Sequence, residues 1–541
     1  MVNLRVSPEY QSCPLGPIPI ILPFLKKIRL RETVDSLVPT TKRAEISHGQ
    51  VMEALVLNRL LSPRALYTVQ EWSRFLLVNE VLGIDPVYLN DDRISRTLDA
   101  IFPHLEQLQG TLTWRIVETF DIDTSYIHWD MTSFFFEGSY PEDQQDPEAP
   151  LIKRGKPKRQ DSGKSRKQMQ VGLATSSEDG VPFWHRSFNG NAGEVSQVAD
   201  VMETLQKVIP SSSFTLVGDS KLLSEPNIAA ALGRKLTFLA PESRSKLPTD
   251  EYFALRDKHG LQRLAIPGKR SRDKKRIYFG LEGSTTFETK EETHRLRRLF
   301  IVSSEERRAV RRSRKRQQKK LQEGIDKARR NVGRYSYKRR KDVVAKMDQL
   351  IAKTDLQDVI HYRIEGKGRD MKLFVHTDLE AFKRLRQTDG VYTLLTNLPD
   401  EHDLESLFTR YKRQYLPEQH FADAKGPLQL RPLFLKKNRR IASLVSVVAT
   451  ALTVYCLMEH TVRRNLKEAG AKMPDLYSRR STAEPTARRL LAAFEFFALG
   501  VHTEDGNVTY TAPPFTDLQK MILEYLDIED PWSFLKESHG S

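Results

Sequence analysis

A chain of 541 residues exceeds one hydrophobic core and implies about three or four folding units. Hydrophobic residues at 39% exclude wholesale disorder, and two distant cysteines, Cys13 and Cys456, exclude a disulfide framework and a zinc ribbon and fit a reducing compartment. The net charge of +16 is local: Arg307 to Lys341 holds 17 Lys or Arg against two acids, a stretch suited to neutralising nucleic-acid phosphates, the alternative being a solvated charged helix.

The apolar run Leu15 to Leu25 is broken by Pro17, Pro19 and Pro23, which argues against a signal peptide. His48 to Leu61 follows Ser47, an N-cap residue, and carries Val51, Leu55, Leu57 and Leu61 at helical spacing. A second helix is expected after Asn90-Asp91-Asp92, with Ile94, Leu98 and Ile101 on one face. Residues 1–120 therefore read as a small helical domain, either docking on a substrate or serving as a plain cap.

After Asp121 the pattern changes. Tyr126 to Phe136 is aromatic and β-branched and reads as a strand. Gln168 to Thr175 and Val181 to Phe188 form a hairpin around Asp179-Gly180, Val195 to Val208 is an amphipathic helix, and Ser213 to Val217 is a strand running into Gly218-Asp219. Three strands, a helix and a strand, with acids on the first and last strands, is the order of an RNase H-like α/β core. Residues 121–240 are its first part. Residues 241–388, after a short strand candidate at Leu236–Leu239, read as a large insertion with further strand candidates at Arg276–Phe279 and Lys372–His376 and the basic helical run. Asp389-Gly390 turns the chain into VYTLLTNL, a helix is expected from about Asp403 to Lys425, and residues 389–465 form the second part of the core. Ile441 to Met458 carries no charge over 18 residues, the lower bound for a membrane span. Ser443, Ser446, Thr450 and Thr453 give it one small, weakly polar face, which favours a helix buried in a soluble core. Residues 466–541 read as a helical C-terminal region.

Asp130 lies inside an apolar strand, where a carboxylate is costly without a partner, and Asp219 closes the strand TLVGD. On one continuous helix, Tyr411, Gln414, Glu418 and Lys425 would share a sector of roughly 60°, offering an acid to a metal and a cation to a phosphate.

The segment YKRQYLPEQHFADAK resembles the Tyr-x2-Arg-x3-Glu-x6-Lys motif of bacterial insertion-sequence transposases of the DDE type, with Tyr411, Glu418 and Lys425 matching. The resemblance extends to HWDMTSFFFEG, VPFWHRSFNGN, LVGDSKLLS, KGPLQLRPLF and the N-terminal SHGQVMEALVLNRLL and LNDDRISRTLD, and so spans most of the chain. Two departures stand out. The motif's Arg is Gln414, with Arg413 on roughly the opposite face, about 200° from Tyr411. Pro417 precedes Glu418 and is expected to kink the helix against the Arg413 carbonyl.

The resemblance implies an RNase H-like catalytic core with a large insertion between the second and third acids, preceded by a small helical domain. It implies Asp130, Asp219 and Glu418 as ligands of two Mg²⁺ ions, with Mn²⁺ as a substitute. Lys425 and Tyr411 would contact the DNA strand. In the basic run, Arg311, Arg312, Arg314, Lys315 and Arg316 would grip flanking DNA through phosphates. The implied activity is cleavage at insertion-sequence ends and strand transfer into target DNA. It would be carried out by a homodimer on terminal inverted repeats, in the prokaryotic cytoplasm and at the nucleoid, without a membrane. The departures leave open a catalytically impaired, DNA-binding descendant. An RNA-associated basic protein and an RNase H-like nuclease without strand transfer are further alternatives.

Overall fold

The computed structural model describes residues 10–63, 65–155, 165–243, 247–266, 276–290, 292–426, 428, 435–474, 481–504 and 507–537. Two compact units result, Met1–Thr237 with Lys412–Ser541, and Phe238–Tyr411. Most of KGPLQLRPLF lies outside the described residues.

After a strand at Tyr10–Pro14, the first unit has a helix at Ile18–Lys27, in which Pro19 falls in the first turn, where a missing N–H is harmless, and Pro23 lies inside the helix. Helix α1 (His48–Leu61) begins at Ser47, whose hydroxyl accepts from Gln50 N while the Gln50 side chain accepts from Ser47 N, a reciprocal cap. Helix α2 (Asp91–Ile101) is capped by Asn90, which accepts from Arg93 N at 2.9 Å, and α3 (Leu105–Phe120) follows.

The sheet of this unit is built from β1 (Tyr126–Phe135), β2 (Lys167–Ser176), β3 (Pro182–Phe188), then helix α4 (Glu194–Val208) and β4 (Thr215–Val217). Strand β2 pairs antiparallel with both β1 and β3. Strand β4 joins the other edge of β1 in parallel, with His128 opposite Val217. The β2–β3 turn needs Gly180, whose φ is +68°.

The chain returns to this unit with α5 (Tyr415–Lys425) and α6 (Asn438–Glu468). By length and composition α6 passes for a membrane span, but its whole apolar window is buried inside the protein. Its Ser/Thr face explains why: Ser443 donates to Leu98 O at 2.7 Å, Thr453 donates to Pro182 O at 2.6 Å, and Gln109 donates to Ser446 at 3.3 Å. The helix thus ties α2 and α3 to the strands. At its start, Arg439 and Arg440 hold Asp99 at 2.8 and 2.6 Å.

Residues 466–541, expected to be helical, also contain a hairpin, Ala498–Glu504 and Asn507–Thr511. Its first strand pairs with Tyr10–Pro14 in a three-stranded sheet.

The second unit is an antiparallel sheet in the order Thr237–Pro241, Val391–Thr396, Thr293–Ser303, Tyr278–Glu288, Gln262–Leu264, with Tyr252, Leu281, Phe300 and Val302 at its core. The expected insertion, residues 241–388, is thus part of a unit that also takes in Val391–Thr396 and the helix Leu404–Tyr411. The first part of the basic run lies on a 28-residue helix, Ser304–Asn331. Its apolar side, Leu321, Ile325 and Ala328, packs with Val343 and Met347 of the helix Arg340–Ile351 and with Ile364 of the hairpin Ile360–Glu365/Lys372–Thr377.

Candidate active site

Alternation along β1 puts His128, Asp130 and Thr132 on one face and Trp129 on the other. Trp129 lies across Gly172 of β2, where a Cβ would sit 2.0 Å from the indole, and it contacts Trp184 and Phe188 with ring centroids at 5.8 and 6.4 Å. This packed aromatic layer holds the backbone that presents Asp130.

Because β1 and β4 are parallel with His128 opposite Val217, Asp130 and Asp219 each stand two residues further along, Asp130 midway along β1 and Asp219 just past the end of β4. Both line one pocket, together with Gly218, Lys221, Leu222 and Val198. Asp219 caps the short turn Ser220–Leu223, accepting from Lys221 N at 3.0 Å, and the Lys221 ammonium stands 3.7 Å from its other oxygen. Burial pushes the Asp130 carboxyl up to about 6, and the negative charges of Asp219 and Glu418 add to that rise. The Met131 backbone and the Lys221 charge act the other way. Partial burial also raises Asp219, against the bond from Lys221 N.

The helix expected over 403–425 is broken. Leu404–Tyr411 and α5 are separated by a tight turn, Lys412–Gln414. Tyr411 belongs to the second unit and Glu418 to the first. The tight turn includes Arg413, whose carbonyl Pro417 cannot bond, as expected from the missing N–H. Glu418 is exposed on the first turn of α5.

Gln414 is part of the packing. Its Oε1 meets His128 Nδ1 at 2.7 Å, and its Nε2 donates to Trp129 O at 3.1 Å. The far ring nitrogen of His128 meets Ser177 Oγ at 3.1 Å. His128 is fully buried, and burial pushes its pKa down to about 4, so the ring is neutral near pH 7. Arg413 points elsewhere, donating to Ser177 O and Glu178 O at 2.6 and 3.1 Å and pairing with the Glu178 carboxylate at 2.9 Å. At the other end of α5, Lys425 Nζ donates to Thr132 Oγ1 at 2.6 Å.

The first unit thus gathers Asp130, Asp219 and Lys425 with the α5 turn that bears Glu418, and adds Lys221, Thr132 and His128. The i+2 spacing of Lys221 from Asp219, and of His128 and Thr132 from Asp130, was the sequence signal for these three. Among the described residues, no three His, Cys, Asp or Glu side chains stand close enough together to enclose a metal ion.

The basic residues lie in the second unit. Arg312, Lys315 and Arg316 are exposed there, as is much of Arg311, which pairs with Asp389 at 3.1 Å. Arg314 corrects the expectation of a DNA contact. It is 5% exposed and pairs with fully buried Asp389 at 2.6 Å and with Asp355 at 2.8 Å, so it is a structural cation.

Residues 11–108 match the family described as a domain of unknown function, DUF4277. No curated protein matches the chain. Among solved structures, it is similar to a cryo-EM structure of the piggyBac transposase synaptic complex with hairpin DNA. The identity is 8%, over 98% of this chain and 84% of that one, with a TM-score of 0.38.

Proposed function

We propose that the chain is a transposase, a metal-dependent enzyme of the DDE type that cleaves DNA at insertion-sequence ends and transfers the strand to target DNA. The observation that carries this reading is the placement of Asp130 within β1 beside Asp219, just past the end of its parallel neighbour β4, both lining one pocket. The strand order β3-β2-β1-β4, antiparallel until the last pair, supports an RNase H-like core.

A buried acid whose proton affinity is raised by two further acids is a site that favours a cation, and its all-oxygen donors suit a hard one. Asp130 and Asp219, with Glu418 from α5, would hold two Mg²⁺ ions, or Mn²⁺ in their place. Ions bound there supply activation of the attacking oxygen and stabilisation of the leaving oxygen. The chain's own part is positional: β1 and β4 fix two acids, α5 brings the third, and Lys425 offers a cation beside the strand face that bears Asp130. Arg311, Arg312, Lys315 and Arg316 hold duplex DNA through its phosphates. The N-terminal helical domain reads the terminal inverted repeats, and a homodimer joins two ends at the prokaryotic nucleoid.

A second reading, a descendant that binds ends without cutting, is favoured by the lack of a closed three-ligand cluster among the described residues. Cleavage of labelled end DNA, with and without Mg²⁺, separates the two. Nicking that needs the metal and disappears in Asp130→Asn and Glu418→Gln, with binding retained, supports the enzyme. Binding without nicking by the unaltered protein supports the descendant.

A further inference from the structure

We infer that Gln414, through His128 and Ser177, is a positioning residue that sets where Glu418 stands relative to Asp130; the inference rests on the metal-site reading above. Glu418 is exposed on the first turn of α5, so its location depends on where that helix begins. Gln414 is the residue at which α5 begins, one helical turn before Glu418. Its amide donates to the carbonyl of Trp129, the residue immediately before Asp130. One side chain therefore links the backbone that carries the first acid to the turn that carries the third.

The second half of the amide completes the anchor. With Nε2 committed to Trp129 O, Oε1 faces His128 and accepts from Nδ1–H, which leaves Nε2 of the ring to accept from the Ser177 hydroxyl. The relay runs from α5, through β1, to the β2–β3 turn. Arg413 secures the same turn from the neighbouring position by bonding Ser177 O and Glu178 O. Two consecutive residues thus fasten the start of α5 to both chain segments beneath it.

The arrangement also accounts for an amide where the resembled motif has arginine. A guanidinium only donates, so it would require the opposite tautomer of His128 and would place a charge against a fully buried neutral ring. Gln414 is on this reading an adaptation to His128, and the departure from the motif leaves the acids supported.

The test is direct Mn²⁺ binding to the full chain, beside cleavage of end DNA. Gln414→Met keeps the side-chain volume and removes both hydrogen bonds. The expected result is Mn²⁺ affinity weakened about tenfold, the scale of losing a residue that orients metal ligands, with end binding and cooperative melting retained. Ser177→Ala, which loosens only the far end of the relay, is expected to weaken Mn²⁺ binding in the same direction by less. It carries the test if Gln414→Met does not fold. Affinity within twofold of the unaltered protein in a folded variant would overturn the positioning role alone. A protein with no Mn²⁺ site that Asp130→Asn removes would overturn the metal-site reading and this inference with it.

Discussion

Lys425 donates from Nζ to the hydroxyl of Thr132 at 2.6 Å, and its ammonium lies 5.1 Å from the centre of the Phe134 ring. Thr132 and Phe134 alternate with Asp130 along one face of β1. The last turn of α5 is therefore tied to the same strand face as its first. Replacing Lys425 by Met is expected to lower end cleavage at least tenfold by removing a cation from the strand face that bears Asp130. The hydrogen bond itself is worth about 1 kcal/mol, so denaturant unfolding should shift only slightly. Equal losses of stability and cleavage would assign the lysine to packing.

Asp130 should trade stability for chemistry. Its carboxyl is pushed up to about 6 in the fold, against an ordinary value of about 3.9. The group is protonated in both states below pH 4. The stability this favours is lost as pH rises through 6, where the charged form costs on the order of 2–3 kcal/mol. Asp130→Asn is thus expected to melt above the unaltered protein at pH 7.5, with the gap closing by pH 4. Mg²⁺ should raise the melting temperature of the unaltered protein only. Melting curves across pH, with and without the ion, check both statements.

The basic helix predicts a division of labour among adjacent residues. Arg314→Ala leaves Asp389, fully buried, with less of its partner charge, and is expected to cost about 3–5 kcal/mol, moderated by the remaining Arg311 bond. Arg312→Ala and Lys315→Ala, both exposed, should change stability by less than about 0.5 kcal/mol. Each should instead reduce the salt dependence of duplex binding by a slope of about 0.9. Binding titrations at several salt concentrations read this directly.

Pro417→Ala is expected to be nearly silent. The proline follows the tight turn Lys412–Gln414, so restoring its N–H adds at most one bond, to the Arg413 carbonyl. The loss should be no more than about 1 kcal/mol, chiefly from a freer unfolded chain. A large gain in cleavage would show that the proline holds Glu418 out of place.

The strands were legible because their alternation is local. Tyr126 to Phe136 reads as a strand from its aromatic and β-branched residues, and Asp179-Gly180 announces the hairpin that the fold contains. The caps at Ser47 and Asn90 were legible for the same reason. Glu418 and Lys425 could be placed on one helix from spacing alone, and Pro417 marked the Arg413 carbonyl at which the α-helix is interrupted. The partners that Gln414 and Arg413 find in β1 and the β2–β3 turn, distant in sequence, could not be read. Arg314 looked like its neighbours in a basic run, and only Asp389, distant in sequence, distinguishes it. The Ala498–Glu504 strand was missed because its partner, Tyr10–Pro14, comes from the other end of the chain.

The first unit is interrupted by the second, and this has a consequence for synthesis. Strands β1 to β4 leave the ribosome well before α5 and α6, with the whole of Phe238–Tyr411 emerging in between. At about 5–20 residues per second, the nascent chain waits many seconds with the surface destined for α6 uncovered. Over that interval Asp130 and Asp219 exist without Glu418, so the site cannot assemble until the last third of the chain has begun to emerge.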